Sequence, residues 1–225
     1  MTYQMPGVER NYHIFYWLLT GKYPDYAEKL LVQCDPSLYH FINQGCLEVD
    51  GIDDPEEMRI IDVSPLSYLF ILPSWLIHSC DVMFTCVSLQ ESFVQLGFTF
   101  EEKFSLYKGT CAVLHMGEMK FKQRPREEQA EADGTAEAEK VAHLLGVNNN
   151  DLLKAILQPK VKVGNEMVTK GQNLDQVTFS VRAIAKSLYT RMFNWLVARV
   201  NKTLDTAVVL HLAISKRLRQ KNCLK

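Results

Sequence analysis

The lysines are the first residues whose type and spacing suggest chemistry. Lys160, Lys162 and Lys170 lie in PKVKVGNEMVTK, where Val161-Lys162-Val163 and Met167-Val168-Thr169 flank Gly164-Asn165. That pair tolerates the positive φ of a tight turn, so the segment predicts a small β-hairpin carrying three cations. Such a ribbon is either a solvated charged loop or a contact for an acidic partner, and these residues alone leave both open. The chemistry of nucleotide hydrolysis has no matching residues. Gly21-Lys22 is the one Gly-Lys pair, Tyr23 follows it, and Tyr16 stands where GxxxxGK[ST] needs glycine. The loop that cradles phosphates is therefore missing. No Asp is followed by Gly at the third position, so a DxxG switch is missing too. GxSxG and HExxH do not occur, and the sequence assigns no catalytic and no metal-binding residue.

Other titratable groups read as structural. His13 has no carboxylate or nucleophile near it in sequence and reads as a packed or solvent-facing histidine; His115, beside Met116, reads as core or boundary. Asp54-Pro55-Glu56-Glu57 reads as a helix start, with a cap, proline at the first position and acids in the first turn, in preference to a metal site. The six cysteines form no CxxC pair and suit reduced thiols better than zinc or disulfides.

The elements that must position the lysines are mostly helical. Leu174, Val177, Val181, Ile184, Leu188, Met192, Trp195, Leu196 and Val200 make one apolar stripe of near-helical period, with Arg182, Lys186, Arg191 and Arg199 on the solvated side. Asn173 and Gln176 predict a capping box at its start. About thirty residues at 1.5 Å each give a rod of roughly 45 Å. Further helices are expected at Arg10–Thr20, with Tyr12, Phe15, Tyr16 and Leu19 buried, at Tyr26–Val32, after Thr99 with Glu102 as capping partner, at Thr135–Leu145 ending on Gly146, and at Leu152–Leu157. The charged, proline-interrupted segment Phe121–Gly134 reads as an exposed loop. The fold class is mainly α with one small β-hairpin.

The 225 residues are enough for one domain with a real core. A net charge of −1 gives no bulk attraction to nucleic acid or anionic membrane. The N-terminal segment has no apolar run of the kind that signal peptides carry, so a cytoplasmic protein is expected.

PKVKVGNEMVTKGQNLDQV followed by MFNWLVARVNKTLD resembles the motor domain of a class II (muscle-type) myosin heavy chain. VERNYHIFY, FINQGCLEVDGIDDPEE and LGFTFEEKFSLYKGTCAVLHMGEMKFKQRPREEQAEADGTAEAEKVAHLLGV resemble the same family in the same order. The resemblance covers residues 1–62 and about 89–206. It implies a partial upper segment of the α/β P-loop motor, begun in mid-pattern, and hence a piece of a longer chain. It implies an actin filament as partner, the rest of the motor domain as a second partner, ATP and magnesium as the family's cofactors, and a place in the cytoplasmic myosin complex or thick filament. The hairpin 158–172, with Lys160, Lys162 and Lys170, and the loop 122–134, with Arg124 and Arg126, would face actin. Lys160 stands where the family often has arginine, keeping the charge but not the planar fork. The whole family protein hydrolyses ATP; this chain, without the phosphate loop and the second switch, is expected to bind neither cofactor alone.

Two stretches depart from the resemblance. Residues 63–88 carry one formal charge, Asp81. A membrane span, a buried insertion and translated non-coding sequence are the three readings. Pro65, Pro73, His78 and Asp81 and the lack of a basic flank argue against the span, and the foreign composition favours the last. The alternative to a motor fragment is thus a membrane or interaction protein built on 63–88, or a product without function. Residues 207–225 form a basic tail unlike the family's next strand.

Overall fold

The computed structural model describes residues 2–5, 9–62, 93, 96–164 and 166–222. The 63–88 readings therefore fall outside the described residues, and among the described residues no helix is long and apolar enough to cross a membrane.

The chain opens with α1 (His13–Leu18), α2 (Pro24–Lys29), a 3-10 turn (Pro36–Leu38) and α3 (Asp54–Asp62). Next comes α4 (Phe100–Glu118), followed by β1 (Phe121–Gln123), β2 (Ala130–Ala132), α5 (Ala136–Leu145), α6 (Asn149–Leu157), β3 (Lys160–Val163), β4 (Glu166–Thr169) and α7 (Leu174–Asn222). The architecture is mainly helical, as expected, but the described residues hold two antiparallel two-stranded ribbons where one hairpin was expected. Phe121–Gly134 is the correction. Its ends pair as Phe121 with Ala132 and Gln123 with Ala130, because Ala130 buries its methyl against the body while the charges stay outside.

The hub is α4. Thr99 caps it: its hydroxyl accepts from the Glu102 amide at 3.1 Å, and the Glu102 carboxylate accepts from the Thr99 amide at 2.9 Å. From Tyr107 to Met116 the helix is buried on nearly every side, as a helix packed all round must be. It touches α1, α5 and α7. Gly109 permits the closest approach, since a Cβ there would lie 2.2 Å from Met192 Sδ on α7.

On and just after α1, Phe15, Tyr16 and Leu19 are buried as read and Leu18 is buried with them, but Tyr12 is 52% exposed. Tyr12 precedes the helix and lies flat on Tyr189 of α7, ring centroids 4.8 Å apart. The second helix runs Pro24–Lys29, earlier than expected, because Pro24 takes its first turn. At α3 the cap is Asp53, whose carboxylate accepts from the Glu56 amide at 3.2 Å. Asp54 is freed to pair with Arg10, whose guanidinium also lies 3.9 Å over the Tyr16 ring.

The capping box at the start of α7 is present in both directions, at 2.9 and 3.2 Å. The helix has 49 residues, so it spans about 73 Å rather than 45. Its stripe is fully buried only near the start, at Val177 and Val181, with Ala185 buried beside them; Leu174 and Trp195 are exposed. Arg182, Lys186 and Arg191 face solvent. Arg199 does not: it donates to Glu102 Oε1 at 3.2 Å and to the Gly97 carbonyl at 2.5 Å, over the ring of Phe98.

Candidate functional site

The β3–β4 ribbon stands off the body at the start of α7. Lys160 faces Thr169 across it, and Lys162 faces Met167. Alternation places Lys160 and Lys162 on one side of the ribbon and Val161 on the other. Val161 and Lys170 line a groove of about 540 Å³ whose far wall is Asp175 and Phe179 of α7. The ribbon's described side chains are exposed throughout. They include three large apolar groups, Met167 at 61%, Val168 at 46% and Val161 at 44%. An isolated two-stranded ribbon is marginal in water, and these strands bury none of those three groups.

Backbone bonds at the base anchor it. The Lys170 amide donates to Pro159 at 3.1 Å, the Gln172 amide to Leu157 at 3.0 Å, and the Ala130 amide to Gln172 at 2.8 Å. The last bond sets β1–β2 beside β3–β4. Gly171 sits at the junction, where a Cβ would meet Gln129 Cδ at 2.6 Å. A second groove, of about 460 Å³, runs between the ribbons with Glu127, Glu128 and Lys170 in its wall.

The expected cations are therefore in four situations. Arg124 is matched inside its own ribbon, 3.5 Å from Glu127 and 3.6 Å from Glu131; Lys122 is likewise 3.7 Å from Glu131 and 3.3 Å from Asp133. Lys170 lies in the inter-ribbon groove beside acids, not with the other two lysines. Lys160 and Lys162, on the outer face, have no acid within ion-pair distance among the described residues. Arg126 is exposed at the tip of the first ribbon with φ +65, a left-handed residue held by a tight turn. The exposed Met167 and Val168 were missed as contact candidates; their place in an alternating run without a matching core was the signal for them.

The residues around Gly21-Lys22 do not fit a phosphate cradle. Gly21 has φ +70 and backs onto Cys34, between α1 and the six-residue α2, whereas phosphate loops join a strand to a longer helix. Among the described residues no cluster of His, Cys, Asp or Glu is suited to a metal ion. His13 is exposed beside Arg10, 3.1 Å away. His115 is buried, with Nδ1 2.8 Å from Glu137 and Nε2 3.4 Å from the Leu30 carbonyl. Burial pulls its pKa below the ordinary 6.5, against the opposing pull of the Glu137 carboxylate.

The family model for the myosin head (motor domain) matches residues 2–213. The chain belongs to the myosin head family. The mainly helical fold with two small sheets agrees with a piece of a myosin motor domain.

Proposed function

We propose that this myosin head chain is an upper segment of a class II, actin-based, ATP-driven motor, and that its work is to present a filament-facing surface. The observation that carries the reading is the outer face of β3–β4: Lys160 and Lys162, unmatched by acid among the described residues, beside exposed Met167. Two point cations next to apolar contact area suit an acidic protein surface, the cations steering and the apolar groups fixing the dock. Arg124, Arg126 and Lys170 lie at the flank, with Arg124 already satisfied internally. The remaining parts of the motor supply the phosphate loop, the second switch and the magnesium ligands, and cover the exposed stretch of α7. Residues 1–206 belong to the motor, with 63–88 as an insertion and 207–225 as a basic extension. The cytoplasmic myosin complex, or thick filament, is the place of such a chain.

Cosedimentation of the purified chain with filamentous actin tests the surface. Binding should be weak at low salt and largely lost at physiological ionic strength, where the screening length is about 8 Å. No pelleting above background at low salt would sink the reading. Measured Mg·ATP turnover by the same protein would overturn the claim that it lacks the engine.

A further inference from the structure

The β3–β4 ribbon has two free edges: among the described residues no third strand pairs with it. Its hydrogen-bond phase is set at the base, where the Lys170 amide donates to the Pro159 carbonyl at 3.1 Å. In an antiparallel ladder, opposite residues that exchange backbone bonds alternate with opposite residues that do not. Along the register from Pro159 and Lys170, Val161 and Val168 turn their amides and carbonyls inward to each other. Lys160 and Lys162 turn theirs outward, to the free edge of β3. Both lysines are exposed. The same two residues therefore offer an unpaired backbone and an unmatched cation.

An open strand edge is a template for a further strand. Strand addition draws affinity from main-chain bonds and specificity from alternate side chains. Side chains directly opposite each other share a face, with Cβ atoms about 5 Å apart. A strand laid antiparallel on β3 would thus set two of its side chains beside Lys160 and Lys162, where carboxylates match the charge. The side chain between those two would fall on the Val161 face, which opens on the groove walled by Phe179, itself 74% exposed. An apolar group suits that place. The other edge lacks the charge, since the outward residues of β4 by the same alternation are Met167 and Thr169.

We propose that the free edge of β3 binds an extended peptide segment of acid–apolar–acid pattern as a third, antiparallel strand. Lys160 and Lys162 serve here and in the filament-facing reading alike, but no filament is needed, so the two readings fail separately.

The probe is acetyl-Thr-Glu-Val-Glu-Thr-amide, titrated into the whole chain at low salt and followed by NMR. Binding should be saturable, and it should protect the amides of Lys160 and Lys162 from hydrogen exchange. N-methylation of both glutamates removes the N–H groups that face β3 and keeps the two charges. Affinity should then fall about tenfold or more, the worth of two net hydrogen bonds. N-methylation of the valine, whose N–H points away from β3, should leave affinity nearly unchanged. Lys160→Gln with Lys162→Gln, which alters exposed side chains alone, should weaken the unmodified peptide about tenfold. Absence of saturable binding, or full affinity in the double variant, overturns the proposal. So does equal affinity for the two methylated peptides, which would mean charge attraction without strand pairing.

Discussion

The amide of Ala130 donates to the carbonyl of Gln172 across 2.8 Å, and through this bond the two charged ribbons share one base. Their cations are nevertheless unequal. Arg124 spends its charge on Glu127 and Glu131, whereas Lys162 faces only Met167 across its ribbon. Lys162→Glu should cut low-salt actin affinity by about tenfold, the scale of a 1.4 kcal/mol charge effect. Arg124→Glu should cut it much less. Cosedimentation of both variants at matched salt checks the order, and equal losses would contradict the distinction drawn between the two ribbons.

Gly45 and Gly171 are both tight, for different reasons. A Cβ on Gly45 would lie 1.9 Å from the Glu9 carbonyl oxygen, the same oxygen that accepts from the Cys46 amide at 2.9 Å. Main chain cannot step aside cheaply, so Gly45→Ala should cost about 2–3 kcal/mol. At Gly171 the obstacle is the end of the exposed Gln129 side chain, which can turn away. Gly171→Ala should cost under about 1 kcal/mol. Urea unfolding of the two variants measures the contrast.

Arg10 and Asp54 form a largely buried pair, their side chains 6% and 21% exposed. Asp54→Ala leaves a guanidinium stranded among Tyr16 and the core, and should destabilise by about 3 kcal/mol or more. Arg10→Met with Asp54→Leu should recover a large part of that loss, because two apolar groups leave no charge unpaired. A double-mutant cycle by denaturant unfolding gives the coupling; strictly additive costs would show that the two residues do not act as a pair.

The buried His115 predicts a slope of stability with pH. Its folded pKa lies below the ordinary 6.5, so the unfolded chain takes up the proton first. Stability from this group is fully present above about pH 6.5 and declines as pH falls toward the lowered folded value. Glu137 opposes the decline as acceptor, and Lys140, 2.8 Å from Glu137, reinforces it. Unfolding free energies between pH 5.5 and 7.5 should rise with pH in the native chain, and the rise should be flatter in His115→Gln.

Much of the local structure was legible because its causes lie within a turn or two. Thr99 with Glu102, Asn173 with Gln176, Asn148 before α6 and the left-handed Gly146 after α5 each signal themselves in four or five letters. The lysine ribbon was legible for the same reason. The first ribbon was not, since β1 and β2 are three residues each and the pairing is anchored by Gln172, far along the chain. Nor could spacing distinguish Asp53 from Asp54 as the cap of α3, because the choice is made by Arg10. The place of α4 as the hub was hidden by its even mixture of apolar and small residues, which makes no stripe. Of the candidate site, the sequence held the cations; which of them are already matched is decided by contacts across strands.

Glu102 holds two helices at once. One carboxylate oxygen closes the first turn of α4 through the Thr99 amide, and the other receives Arg199 from α7. Thr203 adds a bond to the Leu96 carbonyl at 2.9 Å. Tension along α7 is thereby delivered to the opening turn of the most buried helix, rather than dissipated in its exposed flank. A load on the one is thus shared with the first turn of the other.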